Sequence, residues 1–340
     1  MSRYLSALAI PSRSPFTCVL SLRVAGLFSY LLGALALIFC SPSPVHADAV
    51  LLLAEPYGRF GSVNPTGHAA VYLTRVCASD PTTLRRCAVG EAGVVISRYH
   101  RVAGLDWVAI PLIPYLYAVD RAEQVPESAD ARTVLRLRNE YRAKHLSALV
   151  PNTGSGNPPT GDWTQLVGAS YDRRIVALRV KTTPEQDDAL IVRMNARENA
   201  VQFNLLFRNC ANFAAEVLND YFPGAVSSRS MADLWLATPK HVGQSLARFG
   251  GRRPELQLSG FVIPQIPGSR SRSRKTRGVL ESLVKTKKYA IPLAIVQPWV
   301  PTGFAAGYLV RGRFNPRRYT TATQRPAEIE QHAVQAAQMD

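Results

Sequence analysis

Two short segments, far apart in the chain, constrain the fold more than any other feature of the sequence. The first, GHAAVYLTRVC over residues 67–77, is rich in β-branched and aromatic residues and predicts a strand that begins near His68. The second, RNCANFAAEVLND over residues 208–220, predicts a helix in which Asn209 is the N-cap and Cys210 is the first helical residue. The fold must therefore combine a strand that starts at a histidine with a later helix that starts at a cysteine.

The N-terminal region has the pattern of a secretory signal peptide. Several arginines precede or flank the apolar run VAGLFSYLLGALALIFC, residues 24–40, and the small residue Ala47 follows a short polar stretch. This pattern predicts a signal peptide over residues 1–47 and an exported protein of the bacterial periplasm or cell envelope. An uncleaved membrane anchor is the alternative, because the apolar run approaches the length that spans a bilayer.

Export changes the interpretation of the cysteines. Cys18 and Cys40 lie in the signal region, whereas Cys77 and Cys87 flank the turn-rich stretch ASDPTTLRR. In an oxidising compartment we expect Cys77 and Cys87 to form a disulfide across a hairpin-like loop, the alternative being two unrelated free thiols. Cys210 then remains unpaired, either as a small buried side chain or as a reactive thiol.

The rest of the first 250 residues mixes strands and helices. We predict strands over residues 49–58, 92–102 and 173–183, and helices over residues 126–151, capped by Ser128, and 182–198. Pro111 and Pro114 interrupt the apolar run 107–119, which favours a loop or an edge strand over a helix interior. These elements predict an α+β domain over residues 48–250.

The composition changes after residue 250. The stretch GSRSRSRKTRG, residues 268–278, is basic and poor in apolar residues, so residues 251–288 are predicted to be a flexible basic segment. Residues 289–310 are nearly all apolar, and together with a polar tail they form a final region, 289–340. The apolar stretch predicts contact with a membrane or, alternatively, two core strands separated by prolines.

The charge of the chain predicts an anionic partner. Lysine and arginine number 40 against 24 aspartates and glutamates, which gives a formal net charge of +16. An anionic cell-wall polymer or a membrane lipid surface fits an exported protein of this charge. Nucleic acid is not expected as a partner, because the sequence carries no nucleic-acid-binding motif.

A reactive thiol at Cys210 requires a base. The start of a helix favours the thiolate and is expected to lower the pKa of the thiol. Among the 6 histidines, His68 and His100 lie on predicted strands. We prefer His68, because the preceding Gly67 allows another backbone or a substrate to approach closely. The alternative for each histidine is a surface or core-edge imidazole. No metal site is predicted, because the histidines and the free cysteine lack ligand spacing, and no cofactor is required.

The order of the two opening motifs resembles a known superfamily. A GH-x-x-VYL strand followed far downstream by an NC-x-x-FA helix is similar to the circularly permuted papain-like superfamily. That superfamily includes permuted NlpC-type envelope hydrolases and relatives of lecithin:retinol acyltransferase. The resemblance covers about residues 49–225 and implies an antiparallel sheet packed against the cysteine helix. It also implies that Cys210 is the nucleophile and His68 the general base.

The resemblance further implies a third polar residue, on the next strand, that orients the imidazole. In AGVVISRYH the candidates are Ser97, Tyr99 and His100, and His100 matches the second histidine of the lecithin:retinol acyltransferase relatives. The backbone N–H of Cys210, with the side chain of Asn209, is expected to hold an oxyanion. The expected function is a cell-envelope cysteine hydrolase or acyltransferase acting on an amide or ester. The alternative is a non-catalytic envelope-associated binding or scaffold protein that retains the fold.

Overall fold

The computed structural model describes most of the chain beyond the predicted signal peptide. The described residues are 48–58, 66–154, 156, 159, 162–200, 203–227, 233, 236–285, 291–292, 295, 297 and 299–337. The predicted signal peptide, residues 1–47, lies outside them. The first described residue, Asp48, is also the first residue of a strand.

The described elements mix helices and strands, as predicted. The strands are β1 (Asp48–Ala54), β2 (His68–Leu73), β3 (Val76–Asp80), β4 (Thr83–Arg86), β5 (Val94–Ser97), β6 (Val108–Pro111), β7 (Ile175–Lys181), β8 (Ser259–Ile263) and β9 (Thr320–Thr323). The α-helices are α1 (Leu112–Tyr117), α2 (Ala131–His145), α3 (Ala169–Asp172), α4 (Pro184–Ala196), α5 (Cys210–Tyr221), α6 (Pro239–Gly250), α7 (Val279–Lys285), α8 (Trp299–Gly307) and α9 (Pro326–Ala337). A π-helix covers Tyr308–Gly312, and short 3-10 helices cover Ala122–Gln124, Asp162–Gln165, Pro254–Leu256 and Pro316–Tyr319.

Seven strands form one sheet in the order β6-β5-β2-β1-β7-β8-β9. Every neighbouring pair is antiparallel except β8 and β9, which run parallel. This arrangement confirms the predicted α+β class with a mostly antiparallel sheet. In the register of β1 with β2, Ala54 lies opposite His68, so the end of β1 is next to the start of β2.

Both faces of the sheet are covered, which explains why the central strand β1 is a continuous apolar run. On one face, Val50 and Leu52 belong to a core that also contains residues of α1, α2 and α3. On the other face, Leu51 and Leu53 belong to a core with α4, α5 and α6. The cysteine helix α5 packs against β2 and β5 through side chains such as the fully buried Phe213.

The disulfide prediction is confirmed. The sulfur atoms of Cys77 and Cys87 are 2.11 Å apart. The bond joins β3 to the residue after β4, and these two strands form a separate two-stranded ribbon. The predicted strand over residues 67–77 is therefore two strands, because the chain leaves the main sheet after Leu73 to enter the ribbon.

Helix caps agree with the sequence in one case and differ in another. The predicted helix over residues 182–198 is α4, in which Thr183 and Gln186 form a reciprocal capping box and Pro184 occupies the first helical position. Helix α2 begins later than predicted, and its N-cap is Asp130 rather than Ser128. The Asp130 carboxylate accepts a bond of 2.7 Å from the Thr133 N–H, which satisfies one of the free donors of the first turn.

The proline-rich run 107–119 is partly as predicted. Its first part is β6, an edge strand of the sheet. Its second part is α1, which contains Pro114, so the prediction against a helix is wrong for these residues. Proline is tolerated there because it is the third residue of the helix, where an N–H would have no intrahelical partner.

The predicted domain boundary at residue 250 is wrong. Strands β8 and β9 lie beyond it and belong to the main sheet. The basic stretch 268–278 also packs against the fold: the Ser273 hydroxyl donates to the buried Glu55 carboxylate at 2.8 Å, and the Arg274 N–H donates to the Pro56 carbonyl at 3.0 Å. Ser273 and Arg274 therefore bond to buried residues of the segment after β1, so the stretch is packed against the domain.

The apolar stretch 289–310 is helical wherever it forms a regular element in the described residues, so the alternative of two core strands is wrong. Among the described residues, no helix combines the length and the apolar character needed to cross a membrane.

Candidate functional site

Cys210 lies at the start of α5, as predicted. The Asn209 side-chain oxygen accepts bonds from the N–H groups of Ala211 at 2.8 Å and Asn212 at 3.1 Å, which makes Asn209 the N-cap. Cys210 is only 9% exposed, and it is the free thiol among the described cysteines. The cap therefore fixes both the first turn of α5 and the position of the sulfur.

The predicted oxyanion role of Asn209 needs correction. Its side-chain amide has two hydrogens, which it donates to the carbonyls of Leu205 at 2.9 Å and Ala237 at 3.1 Å. Because both hydrogens are already used, the amide has none to offer to an oxyanion. Asn209 instead fastens the start of α5 to two neighbouring segments of the chain.

His68 is the first residue of β2, and the glycine before it allows a close approach of two backbones. Gly67 has φ +78°, and a Cβ atom there would lie 2.3 Å from the Ala54 carbonyl oxygen. Only glycine fits such a position without displacing the neighbouring strand. The prediction of close approach at Gly67 is thus confirmed, and the approaching group is the end of β1.

Ser97 holds the imidazole of His68. The Ser97 Oγ lies 3.0 Å from His68 Nε2 and donates to the Ala69 carbonyl at 2.8 Å. A hydroxyl has one hydrogen, so Ser97 accepts the second bond from a protonated Nε2. His68 Nδ1 then carries a lone pair. The ring of Tyr99 stacks on the imidazole with a centroid distance of 5.1 Å, which further restricts its orientation.

His100, the candidate that matches the second histidine of the lecithin:retinol acyltransferase relatives, does not orient His68. Its Nδ1 lies 2.7 Å from the Asp162 carboxylate, and its side chain is 45% exposed. Strand β5 ends at Ser97, and the chain leaves the sheet before His100. The other two candidates, Ser97 and Tyr99, contact the imidazole of His68. His100 lies nearer to solvent, at the rim of the cavity that His68 also lines.

One cavity of about 380 Å³ contains both predicted catalytic residues in its wall. His68 and Cys210 line it together with Tyr99 and His100. The rest of the wall is mostly apolar and includes Phe203, Leu205, Leu206, Leu236, Ala237 and Val279. The last of these comes from α7, so the part of the chain beyond residue 250 helps to form the site.

Burial determines the charge state of the two residues. Burial, assisted by the positive charge of Arg173, lowers the pKa of His68 to about 3. Burial raises the pKa of the Cys210 thiol. Backbone N–H groups of Ala69, Ala211 and Cys210 itself face the sulfur and oppose that rise, as does Arg173. The predicted lowering of the thiol pKa is therefore wrong, and the resting pair is a neutral thiol and a neutral imidazole.

Arg173 is a site residue that the sequence prediction missed. It is 4% exposed, and its guanidinium lies 4.8 Å from the centre of the Tyr57 ring. Its charge acts on His68 and Cys210. In the sequence it is one of two arginines at the start of a predicted strand, which gives no sign that it is buried near a thiol.

Potential metal ligands do not gather at this cavity in the described part of the chain. The group of ligand atoms close enough to share an ion consists of Cys77, Cys87 and Glu91. Its two sulfurs are joined in the disulfide and offer no thiolates.

The sequence matches no protein-family model, and no curated protein or solved structure is significantly similar to it. The likeness to the permuted papain-like superfamily therefore remains a prediction from the two motifs.

Proposed function

We propose that this protein is an exported cysteine hydrolase or acyltransferase that acts on an amide or ester through Cys210. The observation that carries the proposal is the shared cavity. Its wall contains both a thiol at a helix start and a buried imidazole, and the hydrogen bond to Ser97 leaves the other ring nitrogen of that imidazole free. These are the parts that nucleophilic catalysis by cysteine requires: a thiol, a base and a group that orients the base.

The first half of the reaction forms an acyl-enzyme. As Cys210 Sγ attacks the carbonyl carbon of the substrate, His68 Nδ1 accepts the thiol proton. The new S–C bond produces an oxyanion, which the Cys210 backbone N–H at the helix start helps to stabilise. The tetrahedral intermediate then collapses: the C–N or C–O bond breaks, and His68 returns the proton to the leaving amine or alcohol.

The second half releases the acyl group. A water molecule, or another acceptor with a hydroxyl or amine, gives a proton to His68 as it attacks the thioester carbonyl. The C–S bond breaks, and the proton returns to the sulfur. Water yields the free acid, whereas another acceptor yields a transferred acyl group. The mostly apolar cavity wall favours substrates with an apolar group next to the reacting carbonyl.

The burial of Cys210 and His68 also supports a second candidate function. Both residues are nine-tenths or more buried, and their shifted pKa values keep them neutral at rest. In a non-catalytic binding protein of the envelope, this cavity would hold an apolar ligand without forming a covalent bond.

Acyl transfer to the thiol separates the two candidates. We expect incubation with a panel of activated aryl esters and thioesters, followed by mass spectrometry, to show an acyl group on Cys210 that is later released. The Cys210→Ala variant should show none. Reversible binding of these compounds, with no acylated Cys210 in correctly folded wild type, would favour the binding protein instead.

A further inference from the structure

The C-terminal region exposes an unusual set of large apolar side chains. Trp299 at the start of α8 is 83% exposed, and Leu309 and Val310 in the π-helix are 51% and 79% exposed. Ile291 and Ile295 are 55% and 76% exposed. We call these five residues the C-terminal apolar surface. They all lie between residues 291 and 310, and large apolar side chains exposed this close together in the chain indicate a surface for a partner.

The C-terminal apolar surface is fastened to the domain. The ring of Tyr308, at the start of the π-helix, lies 5.3 Å from the Lys240 ammonium and 4.7 Å from the Lys285 ammonium. The Glu281 carboxylate accepts bonds from both lysines and from the Tyr308 hydroxyl. Because Lys240 is buried in α6, these contacts hold α8 and the π-helix in place while their apolar side chains face solvent.

The fastening point is close to the Cys210 cavity. Val279, in the cavity wall, is the first residue of α7, and Lys285, in contact with Tyr308, is the last. At a rise of 1.5 Å per residue, these positions are about 9 Å apart along the helix. The residue that contacts Tyr308 is thus one short helix away from the cavity wall.

The chemistry of the surrounding sequence selects an anionic lipid bilayer as the partner. Residues 282–327 contain several lysines and arginines and no aspartate or glutamate. Apolar side chains with an exposed tryptophan and flanking cations suit the boundary between acyl chains and anionic headgroups. Helix α8 and the π-helix that continues it cover 14 residues, Trp299–Gly312, which is shorter than the roughly 20 residues of a spanning helix.

We infer that the C-terminal apolar surface docks on the interface of an anionic bilayer without crossing it. The apolar side chains enter the headgroup region, and the neighbouring cations contact the headgroups. This inference does not depend on whether Cys210 is a catalyst.

Vesicle binding by the full chain tests the inference. The test variant carries Trp299→Gln, Leu309→Gln and Val310→Gln. The matched control is Val89→Gln, at a side chain that is also 83% exposed but lies between β4 and β5. Because every protein carries the same N-terminal region, differences between them report the substituted side chains. Matching circular dichroism and melting temperatures establish that all are folded.

On vesicles of phosphatidylcholine with phosphatidylglycerol, we expect the triple variant to bind more than about tenfold more weakly than wild type, and the control to bind as wild type does. Vesicles of phosphatidylcholine alone should bind wild type more weakly than the anionic vesicles. Equal binding by wild type and the triple variant would overturn the inference. Self-association of the wild type would also overturn the inference if the triple substitution abolished it and added vesicles did not reduce it. A second copy of the chain would then be the partner.

Discussion

The floor and the rim of the cavity both carry a histidine, but the two histidines have different surroundings. At the floor, His68 is 8% exposed and is held between the Ser97 hydroxyl and the Tyr99 ring. At the rim, His100 is 45% exposed on its side chain and bonds to Asp162. Residue type therefore does not identify the base. The partner that selects one ring nitrogen, and the exclusion of water, distinguish His68 from His100.

The two surroundings also predict different chemistry. The buried His68 is neutral, since burial lowers its pKa to about 3, and one of its nitrogens is free to accept a proton. The rim pair of His100 and Asp162 is in contact with solvent, so its interaction is screened and weakly coupled to the thiol. Substitutions at the floor should consequently affect Cys210 far more than substitutions at the rim.

The largest expected effect is the loss of the base. His68→Ala should slow acylation of Cys210 by about 10²- to 10⁴-fold, the usual contribution of a positioned general base. The matched rim variant His100→Ala should change the same rate by less than about threefold, because solvent contact limits its influence on the thiol. Stopped-flow or mass-spectrometric measurement of acylation provides both rates. Equal losses in the two variants would remove the distinction between floor and rim.

A smaller effect is expected from the residue that orients the base. Ser97→Ala should reduce the acylation rate by about tenfold, since one hydrogen bond that fixes the ring is lost. A structural role alone would not change the protonation of the ring nitrogens. We therefore expect ¹⁵N NMR to show the His68 proton on Nε2 in wild type and shared between Nε2 and Nδ1 in the variant. An unchanged proton position would contradict the role assigned to Ser97.

The buried His68 should also make stability depend on pH. Its pKa is about 3 in the folded protein, against a usual value of 6.5. Between these pH values the unfolded chain binds more protons, so the free energy of unfolding falls as the pH falls, by up to about 1.4 kcal/mol per pH unit. Asp48, whose pKa burial raises to about 6, contributes in the opposite direction.

Comparing wild type with His68→Gln separates the two contributions, because both proteins retain Asp48. Denaturant unfolding at several pH values below 6.5 should show wild type losing stability relative to the variant as the pH falls. Parallel pH profiles for the two proteins would mean that His68 is not desolvated in the folded state.

Removal of the disulfide should have the smallest effect on the acylation of Cys210. Cys77 and Cys87 tie the β3–β4 ribbon, which is separate from the main sheet. The double variant Cys77→Ser with Cys87→Ser should lower the free energy of unfolding by about 3 kcal/mol, because the closed loop is short. Its acylation rate at Cys210 should stay within about twofold of wild type, as the same kinetic assay would show. A large loss of rate would connect the ribbon to the site.

Local signals in the sequence were sufficient to predict part of this structure. The cap at Asn209, the glycine before His68 and the spacing of Cys77 and Cys87 each act over a few residues. Local signals do not show whether Ser97 or His100 orients the imidazole of His68, because this depends on the residue at which β5 leaves the sheet. Likewise, the sequence does not show that carbonyls of other segments occupy the Asn209 amide.

The error at residue 250 has a similar physical cause. Strand β8 is short, and its partner β7 is far away in the sequence. The basic stretch that follows β8 becomes ordered because Ser273 bonds to Glu55, a buried carboxylate on the segment after β1. Interactions over such distances are not apparent from composition, which here indicated only flexibility and positive charge.

Alkylation of Cys210 by iodoacetamide tests the central claim most directly, because it requires no knowledge of the substrate. The measurement compares folded wild type, His68→Ala and His100→Ala at neutral pH, with the labelled residue identified by peptide mapping. If His68 is the base for Cys210, the thiol should be alkylated in wild type and in His100→Ala, and at least about 100-fold more slowly in His68→Ala. Equal alkylation rates in wild type and His68→Ala, or a Cys210 that is inert in folded wild type, would contradict the account.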